Sequence, residues 1–147
     1  MGHEEEQTAV VRWVIAHRVF IFYGNGGAFT GAQFERWFEA LENAGDLRLY
    51  VGAAGGTFVF GAAERSRTNE YMKRKKIRFA VVTESVRLRM LGQTARLIGL
   101  NLHLYAWKQS FEPFAELGLP NATAQELYDT LLRLRAEVET ELQQSGR

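Results

Sequence analysis

The run Val19-Phe20-Ile21-Phe22-Tyr23 constrains this chain more than any other five residues. It is apolar at every position, so both of its faces must be covered whichever way alternate side chains point. It is also short, rich in β-branched and aromatic residues, and closed by Gly24-Asn25-Gly26-Gly27, which reads as a strand inside a sheet packed on both sides. The stretch before it, Val10, Val11, Trp13, Val14 and Ile15, reads as another strand. The break at Ala16-His17-Arg18 is a tight connection, and two strands joined that way pair antiparallel.

After the glycines, strands alternate with helices. Thr30 as N-cap with Gln33 three residues on forms a capping-box pattern. It predicts a helix with Phe34, Trp37, Phe38 and Leu41 on one buried face, stopped by Gly45. Residues 47–51 read as a third strand, residues 52–56 as a second glycine-rich loop, and residues 61–76 as a polar, basic helix anchored by Ala62, Ala63, Tyr71 and Met72. A fourth strand over 77–83 leads to a helix capped by Ser85 and running to residue 98 through Val86, Met90, Leu91, Leu97 and Ile98. A fifth strand over 101–107 precedes a short helix opened by Ser110, with Pro113 in its first turn and Gly118 after it. Thr123 and Glu126 make a second capping box for a terminal helix over 123–143, where Leu127, Leu131, Leu134, Val138 and Leu142 form one apolar stripe. That stripe can pack on its own sheet or pair with another copy in a homodimer. We expect packing.

The order β-β-α-β-α-β-α-β-α-α predicts an α/β fold: one domain over residues 1–147, a mixed, mostly parallel five-stranded sheet with helices packed on it. Residues 1–7 are acidic with no apolar anchor and are expected to be disordered. A chain of 147 residues is long enough for one continuous core without staples.

Lys and Arg number 18 against 17 acidic residues, so no overall field draws this chain to nucleic acid or to an anionic membrane. No apolar run approaches the ~20 residues of a membrane span. The absence of cysteine removes disulfides and thiolate chemistry and fits a cytoplasmic address. The three histidines (His3, His17, His103) and two aspartates (Asp46, Asp129) show no metal or triad spacing. We therefore expect no enzyme activity, no cofactor and no metal.

Two segments hint at chemistry. Gly24-Asn25-Gly26-Gly27 stands between a strand and a helix, where glycines let backbone amides approach a phosphate or nucleotide. No Lys-Ser or Lys-Thr follows, and the dinucleotide register fails at Phe29, so a permissive turn is the favoured reading. Lys73, Arg74, Lys75, Lys76 and Arg78 form the densest charge run, with Arg65 and Arg67 on the same helix; a solvated helix C-terminus explains them as well.

The two opening strands leading into Phe34-Glu35-Arg36-Trp37-Phe38-Glu39-Ala40-Leu41, the third strand with its loop and exposed helix, Arg78-Phe79-Ala80-Val81-Val82-Thr83 with the helix after it, and Phe111-Glu112-Pro113-Phe114-Ala115-Glu116-Leu117-Gly118 together resemble the STAS superfamily. The likeness is to the SpoIIAA-like proteins related to anti-sigma factor antagonists, and it covers about residues 8–119. It implies a small regulatory or adaptor module that acts by protein–protein interaction. Phosphorylated members carry an Asp-Ser or Asp-Thr pair between the third strand and the second helix. The matching stretch here, Gly52-Ala53-Ala54-Gly55-Gly56-Thr57-Phe58-Val59-Phe60-Gly61, has no Asp and has Thr57 as its one hydroxyl, which makes Thr57 the candidate phosphosite and otherwise a turn residue. Gly55, Gly56, Thr57, Phe58, Phe60, Arg65 and Arg67 form the expected partner surface, with Phe58 and Phe60 expected to stay partly exposed beside flexible glycines. The alternative is binding of an apolar small molecule or lipid, which requires an enclosed pocket near Phe34, Trp37 and Phe38.

Overall fold

In the computed structural model, which describes residues 7–146, every side chain of the run at 19–23 is buried. The run lies in β2 (Val19–Asn25), which pairs antiparallel with β1 (Val10–Ala16). Their connection is the two-residue turn His17-Arg18, both at positive φ (52° and 63°), the backbone that the twist of a tight hairpin requires. The remaining elements are β3 (Ala28–Phe29), α1 (Gly31–Glu42), β4 (Leu49–Ala54), β5 (Val59–Phe60), α2 (Ala62–Lys75), β6 (Phe79–Val82), α3 (Val86–Leu97), β7 (Leu102–Tyr105), a 3-10 turn (Trp107–Gln109), α4 (Glu112–Ala115) and α5 (Asn121–Gln144).

The main sheet has five strands in the order β1-β2-β4-β6-β7, all parallel from β2 onward. Successive strands are thus neighbours in space, and right-handed crossovers advancing in one direction bring their helices to one face. Alternation along each strand then divides the core. Phe20, Phe22, Tyr50 and Phe79 pack with α1 and α2, while Ile21, Tyr23, Val51, Ala80 and Val82 pack with α4 and α5. The stripe Leu127, Leu131, Leu134, Val138 and Leu142 is 0–4% exposed, so the face it offered to a second copy is covered by its own sheet.

Several expectations need correction. β4 runs through Gly52 to Ala54, so the second glycine loop begins only at Gly55. Two short strands were not anticipated: β3 and β5 pair in parallel as a separate two-stranded sheet that holds the two glycine loops together. Thr30 is the N-cap of α1, yet its side chain makes no cap bond, and Gln33 Nε2 donates instead to the Ala9 carbonyl at 2.7 Å. α5 starts behind Pro120, two residues before Thr123, so the second capping box does not form. α4 starts behind Phe111; Ser110, buried, donates to Tyr128 Oη at 3.3 Å. Ser85 does cap α3, accepting the Leu88 amide. On α2, Ala62 and Ala63 are exposed and Thr68 joins Tyr71 and Met72 as the anchor. The tail expected to be disordered lies outside the described residues except for Gln7, whose carbonyl accepts the Ala28 amide at 2.7 Å.

Candidate functional site

The carboxyl ends of parallel strands are where α/β sheets place functional groups. Here that edge holds Asn25 at the end of β2, the loop 55–57 after β4, and Glu139, which α5 brings across from the other layer. Asn25 is the hub. Its Oδ1 accepts the Gly26 amide (2.8 Å), the Thr57 amide (3.2 Å) and the Thr57 hydroxyl (2.8 Å), and its Nδ2 donates to Glu139 Oε2 at 2.8 Å. The same carboxylate oxygen accepts the Tyr23 hydroxyl at 2.5 Å. Burial raises the Tyr23 pKa and the Glu139 carboxylate raises it further, so Tyr23 remains a proton donor throughout the physiological range. An open cleft of about 550 Å³ lies over these groups, lined by Asn25, Gly26, Gly27, Thr57 and Glu139.

Thr57, the candidate phosphosite, is exposed, but its hydroxyl also accepts the Gly26 amide at 3.1 Å, so it works as the clasp between the two glycine loops. The Gly24–Gly27 segment does not open a helix. Its Gly26 amide is used as described, the Ala28 amide goes to Gln7, and the chain enters β3 before α1 begins. A Cβ at Gly27 (φ +152°) would lie 2.1 Å from the Gln7 carbonyl oxygen, which explains the glycine as a close backbone crossing rather than a phosphate cradle.

The rest of the expected partner surface is largely engaged internally. Phe58 is 8% exposed and packs its ring over Gly24; Phe60 is half-buried among the rings of Phe29, Phe34 and Phe58. Arg65 is half-buried, and Arg67 lies over the rings of Phe34 and Phe38 (5.3 and 4.5 Å) while its Nη1 pairs with Glu35 at 2.5 Å. Only Gly56, Thr57 and Arg67 of that surface are exposed. The two aromatics expected to be partly exposed thus differ: Phe60 keeps part of its surface open, while Phe58 is drawn into the core beside Gly24. In the basic run, Arg74 and Arg78 are paired with Glu42 and Glu116. Glu84, beside the α3 cap, accepts the Trp107 amide at 2.6 Å.

Exposed apolar surface lies instead on α3. Its buried positions are Gly92 and Ala95, the former so close to β7 that a Cβ there would meet Leu104 Cδ2 at 2.6 Å. Val86 (73%), Met90 (62%), Leu97 (87%) and Ile98 (53%), the apolar positions by which the helix was traced, are exposed. At about 100° per residue, Val86, Met90 and Leu97 fall in one stripe opposite the Leu88, Gly92 and Ala95 face. Arg89 and Arg96 border it on one side and Arg87 on the other. A 3.6-residue period is the same for an inward and an outward stripe, so these apolar positions mark the helix without saying which way they face.

Among the described residues no group of three or more His, Cys, Asp or Glu is placed to hold a metal ion, and no helix is long and apolar enough to cross a membrane. In comparison with known proteins, no family model, no curated protein and no solved structure matches the chain.

Proposed function

We propose that the protein is a non-enzymatic regulatory or adaptor domain that acts by binding another protein, and that the outer face of α3 is the surface it uses. The order of elements supports grouping it with the SpoIIAA-like regulators, but the observation that carries the reading is the doubled apolarity of α3. One face is needed to pack on β7. The other exposes three large apolar side chains, Val86, Met90 and Leu97, aligned on one side of the helix with Gln93 between the last two, an alignment that suits a contact surface better than scattered residues do.

Charge selects the occupant. α3 contains three arginines and no acidic residue, and among the described residues none of Arg87, Arg89 and Arg96 is in an ion pair. A second copy docked on the same stripe would set arginines against arginines. The partner is therefore an amphipathic protein segment whose apolar stripe is bordered by carboxylates. A photocrosslinking residue in place of Met90, with one in place of exposed Gln125 as control, tests this in native cells. A distinct protein crosslinked from position 90 only, and lost in an Arg87→Glu/Arg89→Glu/Arg96→Glu variant that remains folded, is the expected result. Crosslinks only to a second copy of the chain, or equal yields from both positions, would defeat the proposal.

A further inference from the structure

The sheet face that packs with α1 and α2 is built in rows. Phe20, Tyr50, Phe79 and Leu102 are successive neighbours across four strands, and Phe22, Gly52, Val81 and Leu104 form the next row. The first row is filled by stacked rings, with centroids 5.0 Å apart for Phe20–Tyr50 and 4.7 Å for Tyr50–Phe79. The second has no side chain at its centre. Tyr50 is held by the Trp37 Nε1–H donating to its hydroxyl at 3.0 Å, and its ring leans so far over Gly52 that a Cβ there would meet Tyr50 Cε1 at 2.8 Å.

Above Gly52 lies a cavity of about 120 Å³, floored by Gly52 and Val81, walled by Phe22 and Tyr50, and roofed by Met72 of α2 and Leu88 of α3. Protein interiors are close-packed, and a void of this size within an aromatic cluster is uncommon. It is also not sealed: Gly52, Val81 and Leu88 are all half-buried, so solvent reaches the floor. Only three lining side chains, Trp37, Tyr50 and Thr68, carry polar atoms. Two of these are paired with each other, and the Thr68 hydroxyl donates to the Glu64 carbonyl at 2.9 Å.

We propose that this cavity is a binding site for a compact, uncharged apolar molecule about the size of a single aromatic ring, entering between α2 and α3. The walls carry no charge and little spare hydrogen-bonding capacity beyond the Tyr50 O–H and the Thr68 hydroxyl oxygen, so an ionised or strongly polar ligand would lose most of its hydration without replacement. The volume is close to that of the ~150 Å³ apolar cavity known to take up benzene, and below the ~300 Å³ at which pockets for larger ligands begin, so a long acyl chain does not fit. The site is separate from the outer face of α3 and does not depend on what binds there.

The test is an amide-shift titration of the isotopically labelled full chain with toluene, and separately with laurate as the long-chain comparison. Saturable shifts at Gly52, Met72, Val81 and Leu88 with toluene are expected. They should weaken by roughly tenfold or more in Val81→Phe and in Leu88→Phe, which fill the site from the sheet and from the helix side, and persist in Leu97→Ala. Two filling variants are used so that misfolding of one, visible as collapsed amide dispersion, leaves the other decisive. No saturable shift with toluene, or unchanged binding in a folded filling variant, overturns the site. Laurate saturating the same amides as tightly as toluene overturns the compact ligand class.

Discussion

Replacing Asn25 by aspartate probes the hub at the carboxyl edge of the sheet with an almost isosteric change. The substitution keeps the acceptor that holds Gly26 and Thr57 and exchanges the donor for a second carboxylate oxygen, 2.8 Å from Glu139 Oε2. At an effective dielectric constant of about 20, two unit charges at that distance repel by about 6 kcal/mol. The pair has a cheaper escape, which is to bind one proton. A carboxyl that ordinarily titrates near 4.3 must then remain protonated at pH 7, which at about 1.36 kcal/mol per unit caps the loss at about 4 kcal/mol, and at about 1 kcal/mol at pH 5. The folded variant binds more protons than its unfolded chain between about pH 4.3 and the raised pKa of the pair, so its stability falls as pH rises through that window. Urea unfolding of Asn25→Asp followed by circular dichroism at pH 5 and pH 7 measures this directly. Adding Glu139→Gln in the same chain restores a donor towards the introduced carboxylate and an acceptor for Tyr23, and should abolish most of the extra pH dependence. A variant equally stable at both pH values, or one whose slope survives Glu139→Gln, would refute the assignment of Asn25 and Glu139 as a direct pair.

Leu131→Ala empties a fully buried position between α5 and the sheet and should lower unfolding free energy by about 2–5 kcal/mol in the same assay. Gly24→Ala places a Cβ 2.6 Å from Phe58 Cε1, so the ring must shift; a loss of about 1–3 kcal/mol and an altered near-ultraviolet spectrum are expected. His103 is held below the ordinary imidazole pKa by burial, aided by the Arg78 and Arg96 guanidiniums against Glu116. The unfolded chain therefore takes up a proton near pH 6.5 before the folded one does, stability declines as pH drops through and below that value, and His103→Gln should flatten this part of a Tm-against-pH curve.

What the sequence revealed and what it hid divide along the range of the interactions. The five main strands, α1 and the α5 stripe were legible because each is written in a local period, and the all-apolar run at 19–23 already demanded helices on both faces. β3 and β5 were not, since two residues carry no period and their pairing joins loops about thirty residues apart. Both capping boxes misled for physical reasons: Gln33 is turned towards Ala9, to whose carbonyl its Nε2 donates, and Pro120, with φ at −54°, set the start of α5 earlier than Thr123. Thr57 was singled out as the one hydroxyl of its loop, but its partner Asn25 read as one more turn residue. Glu139 could not be found at all, since it lies 114 residues further along the chain and comes within reach of Asn25 only once α5 has packed. The inner face of α3 was equally silent, because close approach to β7 calls for Gly92 and Ala95, which send no hydrophobic signal.

The spatial order of the main sheet also follows the order of synthesis. Each strand from β2 onward can add to the one made just before it, so pairing can proceed as the chain leaves the ribosome, with short loops and few long-range searches. The opposite face has no such convenience. Ile21, Val51, Ala53, Ala80 and Val82 are covered by α4 and α5, which follow all five strands in the sequence, and α5 packs on β1 and β2, which precede the other three. A nascent chain therefore carries a finished sheet with one bare apolar side until residues 112–144 emerge. A chain that stops before residue 121 would leave the part of that side over β1 and β2 uncovered, and the product would be a substrate for chaperones and proteases.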